Sequence, residues 1–242
     1  MYGFLIALLS GGAVAAALTF GANLAIGYGI FTGVIVAAIV FILIFRSITK
    51  KVTAGMEVVQ RDMQANRPEK AIKTLESLQK YSPWQLYLKG QISAQIGAIY
   101  YLRRDFKSAF DYLSTSFSKH WAGMGMLGVC YMKKNKTSEM IKTFEKAVMV
   151  NKKEPVIWEV YAFCLEKVGN HEKAIEVLEK GIKKIGGNET MESNLELLKA
   201  GKKQKMKPYG DLWYQFHLEK TGAIIKQQTK AMTGRKKTIV RR

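Results

Sequence analysis

Apolar and polar positions follow two different rules along this chain. Residues 1–45 contain no Lys, Arg, Asp or Glu. As one helix this stretch would extend about 68 Å at ~1.5 Å per residue, more than twice a hydrocarbon core of about 30 Å, so it must fold back or leave the membrane. Two spans are predicted, roughly 2–20 and 24–45, with the turn near Gly21-Ala22-Asn23. The second is the more continuous, reading GIFTGVIVAAIVFILIF.

From Arg46 onward the pattern becomes amphipathic with a period near 3.6. Val52, Met56, Val59 and Met63 share one face of a predicted helix. The clearest stretch is 155–184, read as two helices joined by a short turn. Trp158, Tyr161, Ala162 and Leu165 line the first helix. Gly169-Asn170 breaks it, and Ala174, Ile175, Leu178 and Gly181 line the second. The same arrangement recurs upstream as Met124, Leu127, Gly128 and Tyr131 followed by Met140, Phe144 and Ala147. It recurs again as Ile96, Gly97 and Tyr100 followed by Ala109, Leu113 and Ser116, and more weakly as Ala71, Leu75 and Leu78. Aligning Ala71, Ala109, Met140 and Ala174 gives steps of 38, 31 and 34 residues. One such hairpin cannot bury its own apolar face, so the pattern predicts a stacked array.

Over roughly 54–200 the chain resembles the tetratricopeptide repeat, a motif of about 34 residues with the pattern W-x2-L-G-x2-Y followed by Ala, Phe and Pro. The best repeat departs from it in having Tyr161-Ala162 where the motif has Leu-Gly. The fold class expected is all-α: two N-terminal transmembrane helices, then an α-solenoid of three to four hairpins, then a basic C-terminal tail. The domain plan is a transmembrane hairpin over 1–45 and a basic juxtamembrane linker over 46–53. Repeats over 54–200, a basic segment with a capping helix over 201–225 and a disordered basic tail over 226–242 complete it.

The resemblance implies a groove lined by the first helix of each repeat. The positions that fall there are Gln91, Ala94, Ala98 and Tyr101, then Ala122, Gly125, Val129 and Met132, then Val156, Glu159 and Phe163. This lining lacks the Lys, Asn and Arg clamp with which some members of the family bind a C-terminal carboxylate. A mostly apolar lining favours an amphipathic helix or an extended apolar peptide as protein partner. The alternative is that the chain's own C-terminal segment fills the groove. In that segment Trp213 and Phe216, with Gly222, are suited to back onto the array behind Asp211 as helix N-cap.

Charge adds the membrane side. The net charge of +19 belongs wholly to 46–242. Arg46, Lys50 and Lys51 follow the second span directly, which by the positive-inside rule makes that side cytoplasmic. Localisation is therefore expected as integral to a membrane, with a bacterial inner membrane suggested by the short hairpin and a cytoplasmic repeat array. Arg46, Lys50 and Lys51, with Arg235, Lys236, Lys237, Arg241 and Arg242 of the tail, are candidate contacts to anionic lipid headgroups or other phosphates. Nucleic acid is the weaker partner, because the tail lacks interleaved aromatics and carries no nucleic-acid motif. Small residues at Ala13, Ala17, Gly21, Ala25, Gly29, Gly33 and Ala37 suit either a homo-oligomer or packing within the hairpin itself.

Catalytic signals are missing: no GxxxxGK[ST] loop, no HExxH and no paired Cys motif occur. Cys130 and Cys164 fall on helical faces as small hydrophobes. No enzyme activity and no cofactor are expected. The leading expectation is a membrane-anchored adaptor that holds a protein partner. The alternatives are a membrane-tethered RNA- or ribosome-associated factor acting through the tail, and an exported envelope assembly component. Export would require the first span to be a signal peptide, although Met-Tyr-Gly-Phe-Leu has no basic n-region.

Overall fold

The computed structural model describes residues 2–22 and 25–219. Among these the fold is all-α. Contacts divide the chain into two compact units, Met1–Ile99 with Thr115–Phe117 and Tyr100–Ser114 with Ser118–Arg242.

In the first unit, α1 (Tyr2–Ala16) continues as a π-helical turn over Ala17–Gly21 and returns as α2 (Ile26–Gln64). Both are long and apolar enough to cross a membrane. Their outer surfaces are apolar: Leu9 is 75% and Phe31 66% exposed, and Phe4, Ile6, Ile30, Val34, Ile39 and Leu43 are exposed as well. The face between them is built of small residues. A β-carbon on Gly33 would lie 2.6 Å from the Gly11 carbonyl oxygen and 2.8 Å from Ala15, and one on Gly11 would overlap the Gly33 carbonyl. Gly3 faces Ile44, and Gly29 faces Thr19 and Ala15, so the helices run antiparallel in backbone contact. Gly29, Gly33 and Ala37 of the predicted stripe therefore pack the hairpin. On α1, however, the buried stripe is Gly3, Ala7 and Gly11, while Ala13, Ala17 and Gly21 are exposed. Four-residue spacing alone could not choose between faces on a helix where nearly every residue is small or apolar.

Helix α2 does not break after the apolar run. It continues for 39 residues, so 46–53, expected as a linker, lies inside one helix with the apolar stretch before it and the amphipathic stretch after it. Nothing between Phe45 and Gln64 is Pro, and the lone Gly55 is a close-packing site, where a β-carbon would meet Leu78 at 2.6 Å. Ile48, Val52 and Val59 are buried in its second half. Helix α3 (Pro68–Leu78) packs there with Ala71, Ile72, Leu75 and Leu78, and Pro68 sits at its start, where a missing N–H costs nothing. After a 3-10 turn over Gln79–Tyr81, the loop 82–87 leads into α4 (Leu88–Leu102), whose Gly90 carbonyl accepts the Phe117 N–H at 3.0 Å.

In the second unit, α5 (Phe106–Ser114) packs on α6 (Trp121–Lys133), and α6 pairs with α7 (Thr137–Val150). Helix α8 (Pro155–Lys167) pairs with α9 (His171–Ile185), and α10 (Glu189–Lys199) packs on α9. Large side chains close against small ones. The Phe144 ring lies where a β-carbon of Gly128 would be, and one on Gly181 would lie 2.8 Å from Trp158. Phe144 stacks on Tyr161 with centroids 5.0 Å apart.

The turns α2–α3, α4–α5, α6–α7 and α8–α9 use one device. Asn66, Arg104, Asn135 and Gly169 all have positive φ, and the spacing between them is 38, 31 and 34 residues, the steps read from the sequence. At each, the following residue's N–H returns to a carbonyl of the previous helix: Arg67 to Asp62, Asp105 to Tyr100, Lys136 to Tyr131 and Asn170 to Leu165. This is the left-handed helix ending, repeated four times.

Candidate partner-binding groove

Two helices of the second unit are buried almost all round. On α6 every residue from Gly123 to Cys130 is buried, and on α8 so are Val156–Ala162, Cys164 and Leu165. A helix with one partner keeps a polar outer face, so something covers the remaining side of both. The cover is the chain's own segment 204–217.

The segment crosses α8 first. Glu159 is fully buried in the otherwise apolar run 156–164 of α8, and three side chains converge on its carboxylate. Gln204 Nε2 donates at 2.6 Å to Oε2, and Asn194 Nδ2 of α10 at 2.9 Å and Tyr209 Oη at 3.3 Å to Oε1. Asn194 also takes the Lys205 N–H at 2.7 Å, fixing the backbone where the segment enters. Burial pushes the Glu159 carboxyl up to about 7, and the three donors only partly offset that. Burial likewise raises the Tyr209 hydroxyl, with the neighbouring Glu159 charge acting in the same direction.

Next comes α11, a single turn over Asp211–Tyr214. Its N-cap is Gly210 at φ 51°, not Asp211 as expected. Trp213 is 1% exposed, meets Phe163 edge-on at 4.7 Å between centroids, and donates its indole N–H to Glu219 at 2.8 Å. Phe216 is fully buried over α6. It lies where a β-carbon of Gly125 would come within 2.7 Å of its ring, with Trp121 6.3 Å away. The segment ends on Tyr101, whose hydroxyl donates to the Phe216 carbonyl at 2.7 Å, while His217 stacks on the Tyr101 ring at 5.7 Å. Burial lowers the His217 pKa and raises that of Tyr101.

The expected groove positions thus fall into three sets. Tyr101, Gly125, Glu159 and Phe163 touch the segment directly. Val129 and Val156 are buried, and Ala122 and Met132 are half-buried. Gln91, Ala94 and Ala98 lie on the part of α4 in the first unit, where Gln91 is exposed, Ala94 buried and Ala98 half-buried. Asn194, Gln204 and Tyr209 were not anticipated. The signal available was Glu159 itself, the one charge in VIWEVYAFC, since a buried carboxylate requires donors from elsewhere. Arg46, Lys50 and Lys51 are exposed on α2. Arg235, Lys236, Lys237, Arg241 and Arg242, with Gly222 and the rest of the predicted tail, lie outside the described residues.

Cys130 and Cys164 are free and buried, and burial lifts the Cys130 thiol to about 11. Among the described residues no group of three or more His, Cys, Asp or Glu is arranged to hold a metal ion.

These paired helices with left-handed turns and small-on-aromatic packing define a helical-hairpin repeat. The profile of the tetratricopeptide repeat matches residues 123–154, which span α6 and α7, so the chain carries a tetratricopeptide repeat. Among solved structures, the MamA RS-1 ArsTM double mutant is 14% identical, with a TM-score of 0.48, over 69% of this chain and 93% of that one. A crystal structure of MamA protein is also 14% identical, at a TM-score of 0.45, over 74% of this chain and 91% of that one. No curated protein matches the chain.

Proposed function

We propose that this protein is a non-enzymatic, membrane-anchored scaffold: α1 and the first half of α2 hold it in a bilayer, and the repeats bind a protein partner. The observation that carries the anchoring is the continuity of α2. One helix changes from an apolar surface over 26–45 to an amphipathic one over 46–64 with no Pro in it, and its Gly55 is packed against Leu78 rather than free to hinge. Arg46, Lys50 and Lys51 follow the apolar run and favour the cytoplasmic side. Paired fusions of alkaline phosphatase and green fluorescent protein after Arg242 test the sidedness. Fluorescence without phosphatase activity is expected, and active phosphatase would move the array to the envelope side.

The partner is a peptide segment with the chemistry of the one already in the groove. Glu159 offers a buried acceptor, Gly125 leaves room for an aromatic ring, and Phe163 and Tyr101 supply apolar walls and a hydroxyl donor. An incoming segment would displace 204–217, which therefore tunes affinity from within the chain. A fluorescent peptide of residues 204–219 serves as probe. It should bind the Trp213→Ala/Phe216→Ala protein at least about tenfold more tightly than the parent, because the occupying segment has lost its two largest anchors. Equal or absent binding to both would overturn the groove reading.

A further inference from the structure

We propose that the loop 81–87 is a second membrane contact, seated in the headgroup layer of an anionic bilayer beside the spans. The inference rests on the anchoring read above, and three observations carry it beyond that reading.

The first is position. The Tyr2 N–H donates to the Pro83 carbonyl at 3.1 Å, and the Tyr2 ring meets Trp84 edge-on at 5.8 Å. Gln85 Nε2 donates to Thr49 Oγ1 at 2.7 Å. Gly3 packs on Ile44, so Tyr2 and the loop lie where the apolar run of α2 ends at Phe45. From Ile26 to Phe45 the helix rises about 30 Å, the thickness of a hydrocarbon core, and the loop falls at its edge.

The second is chemistry. Leu86 is 63% and Tyr87 59% exposed, on a loop with no place in the repeat pattern. The sequence YSPWQLY combines two Tyr, one Trp and one Leu, and Tyr and Trp concentrate at the level of headgroups, where an apolar ring and a polar edge are both satisfied. Tyr87 is held at φ 67° and tilts onto Phe117 at 4.8 Å, so the exposed ring is placed by the fold.

The third is charge. Arg46, Lys50, Lys51, Lys80 and Lys89 are all exposed, and no acidic residue occurs in 1–56 or in 77–104. An open hollow on α2 beside the loop has Phe45, Arg46, Thr49 and Lys50 among its lining residues, an apolar edge next to two cations, with the acidic Glu57 also among them, two turns along the helix from Lys50. Basic residues at this depth favour anionic over zwitterionic headgroups.

Nitroxide labels on the full chain in vesicles of phosphatidylcholine, with or without phosphatidylglycerol, test the proposal by oxygen and nickel-chelate accessibility. Cys130 and Cys164 are buried and stay unlabelled. Ile35→Cys reports the span. Leu86→Cys reports the loop, and Gln64→Cys the far end of α2, about 27 Å along the helix from Arg46. The expected result is a bilayer signal at Ile35→Cys and an aqueous one at Gln64→Cys. Leu86→Cys should lie between them, with oxygen accessibility severalfold above that of Gln64→Cys and rising when phosphatidylglycerol is present. A label at Leu86→Cys as aqueous as that at Gln64→Cys, with Ile35→Cys still in the bilayer, would overturn the loop contact and leave the anchor standing. Aqueous signals at both Ile35→Cys and Leu86→Cys would overturn the anchor and the loop contact together. An interfacial signal indifferent to phosphatidylglycerol would overturn the anionic preference.

Discussion

The α1–α2 hairpin and the α6–α9 repeats solve one packing problem in opposite senses. Both bring helices close through glycine. In the repeats Gly128 and Gly181 make room for Phe144 and Trp158, so large side chains fill the interior and, Glu159 apart, charged side chains are left outside. In the α1–α2 hairpin Gly11 and Gly33 make room for backbone, and the large side chains point outward. Water drives the first arrangement by expelling apolar area. It would oppose the second, which suits a medium where apolar area gains nothing by hiding and close van der Waals contact decides. The proposed anchoring in a bilayer accounts for that difference.

Substituting valine at the two kinds of glycine breaks that comparison most directly. Gly128→Val drives a branched side chain into the Phe144 ring, and the repeat fold should lose about 3 kcal/mol or more. Urea unfolding followed at the buried tryptophans Trp158 and Trp213 measures it. Gly33→Val instead pushes against the Gly11 carbonyl and Ala15, with backbone on the far side and nothing flexible to yield. In detergent it should lower the melting temperature of the helical signal far more than Ile35→Val, which trims an exposed side chain on the same helix. Equal effects from the two α2 variants would mean that the small-residue face does not hold the hairpin.

A weaker perturbation separates the groove from the rest of the repeat core. Glu159 titrates near 7 when covered and in the ordinary carboxylate range when exposed, so the covered state holds its proton to higher pH. The stability of the covered state is therefore fullest below about 4.5, falls as pH rises toward about 7, and is level above that. The loss is of order 1–3 kcal/mol, given the depth of burial. The protection factors of the 204–217 amides, that is, exchange rates corrected for their intrinsic rise with pH, should fall over that interval in the parent chain and stay level in Glu159→Gln, which keeps the volume and one acceptor oxygen but cannot ionise. A parallel fall in both would assign the pH dependence to another group.

Much of this architecture was legible in the residues. The uncharged 1–45 and the steps of 38, 31 and 34 residues predicted the two apolar helices and the repeats, and Asn66, Arg104, Asn135 and Gly169 repeat those same steps as turns. What periodicity could not reveal was long-range pairing. Trp213 and Phe216 read as apolar residues suited to backing onto the array, but nothing local says that they lie across α8 and α6. The three donors to Glu159 come from positions 35 to 50 residues away. Helix continuity was missed for a related reason. A change of surface from apolar to amphipathic at Arg46 resembles a boundary in composition, whereas a helix ends only where its backbone is interrupted, and that happens at Asn66, whose φ of 55° follows the last helical residue Gln64.

The smallest effect concerns the turns, where the comparison is among repeats. Gly169 has φ 80°, and a β-carbon added there would meet nothing within 4 Å. Any cost of Gly169→Ala is therefore conformational rather than steric against neighbours, about 1 kcal/mol for placing an L-residue in the left-handed region. Arg104 holds the equivalent turn at φ 65° with a non-glycine residue and already carries that cost. Thermal unfolding of the two single variants should show Gly169→Ala destabilised by about 1 kcal/mol and Arg104→Gly neutral to slightly stabilised, the relief of φ being offset by added freedom in the unfolded chain. Destabilisation of similar size in both would mean that the Arg104 side chain contributes more to its turn than its backbone conformation costs.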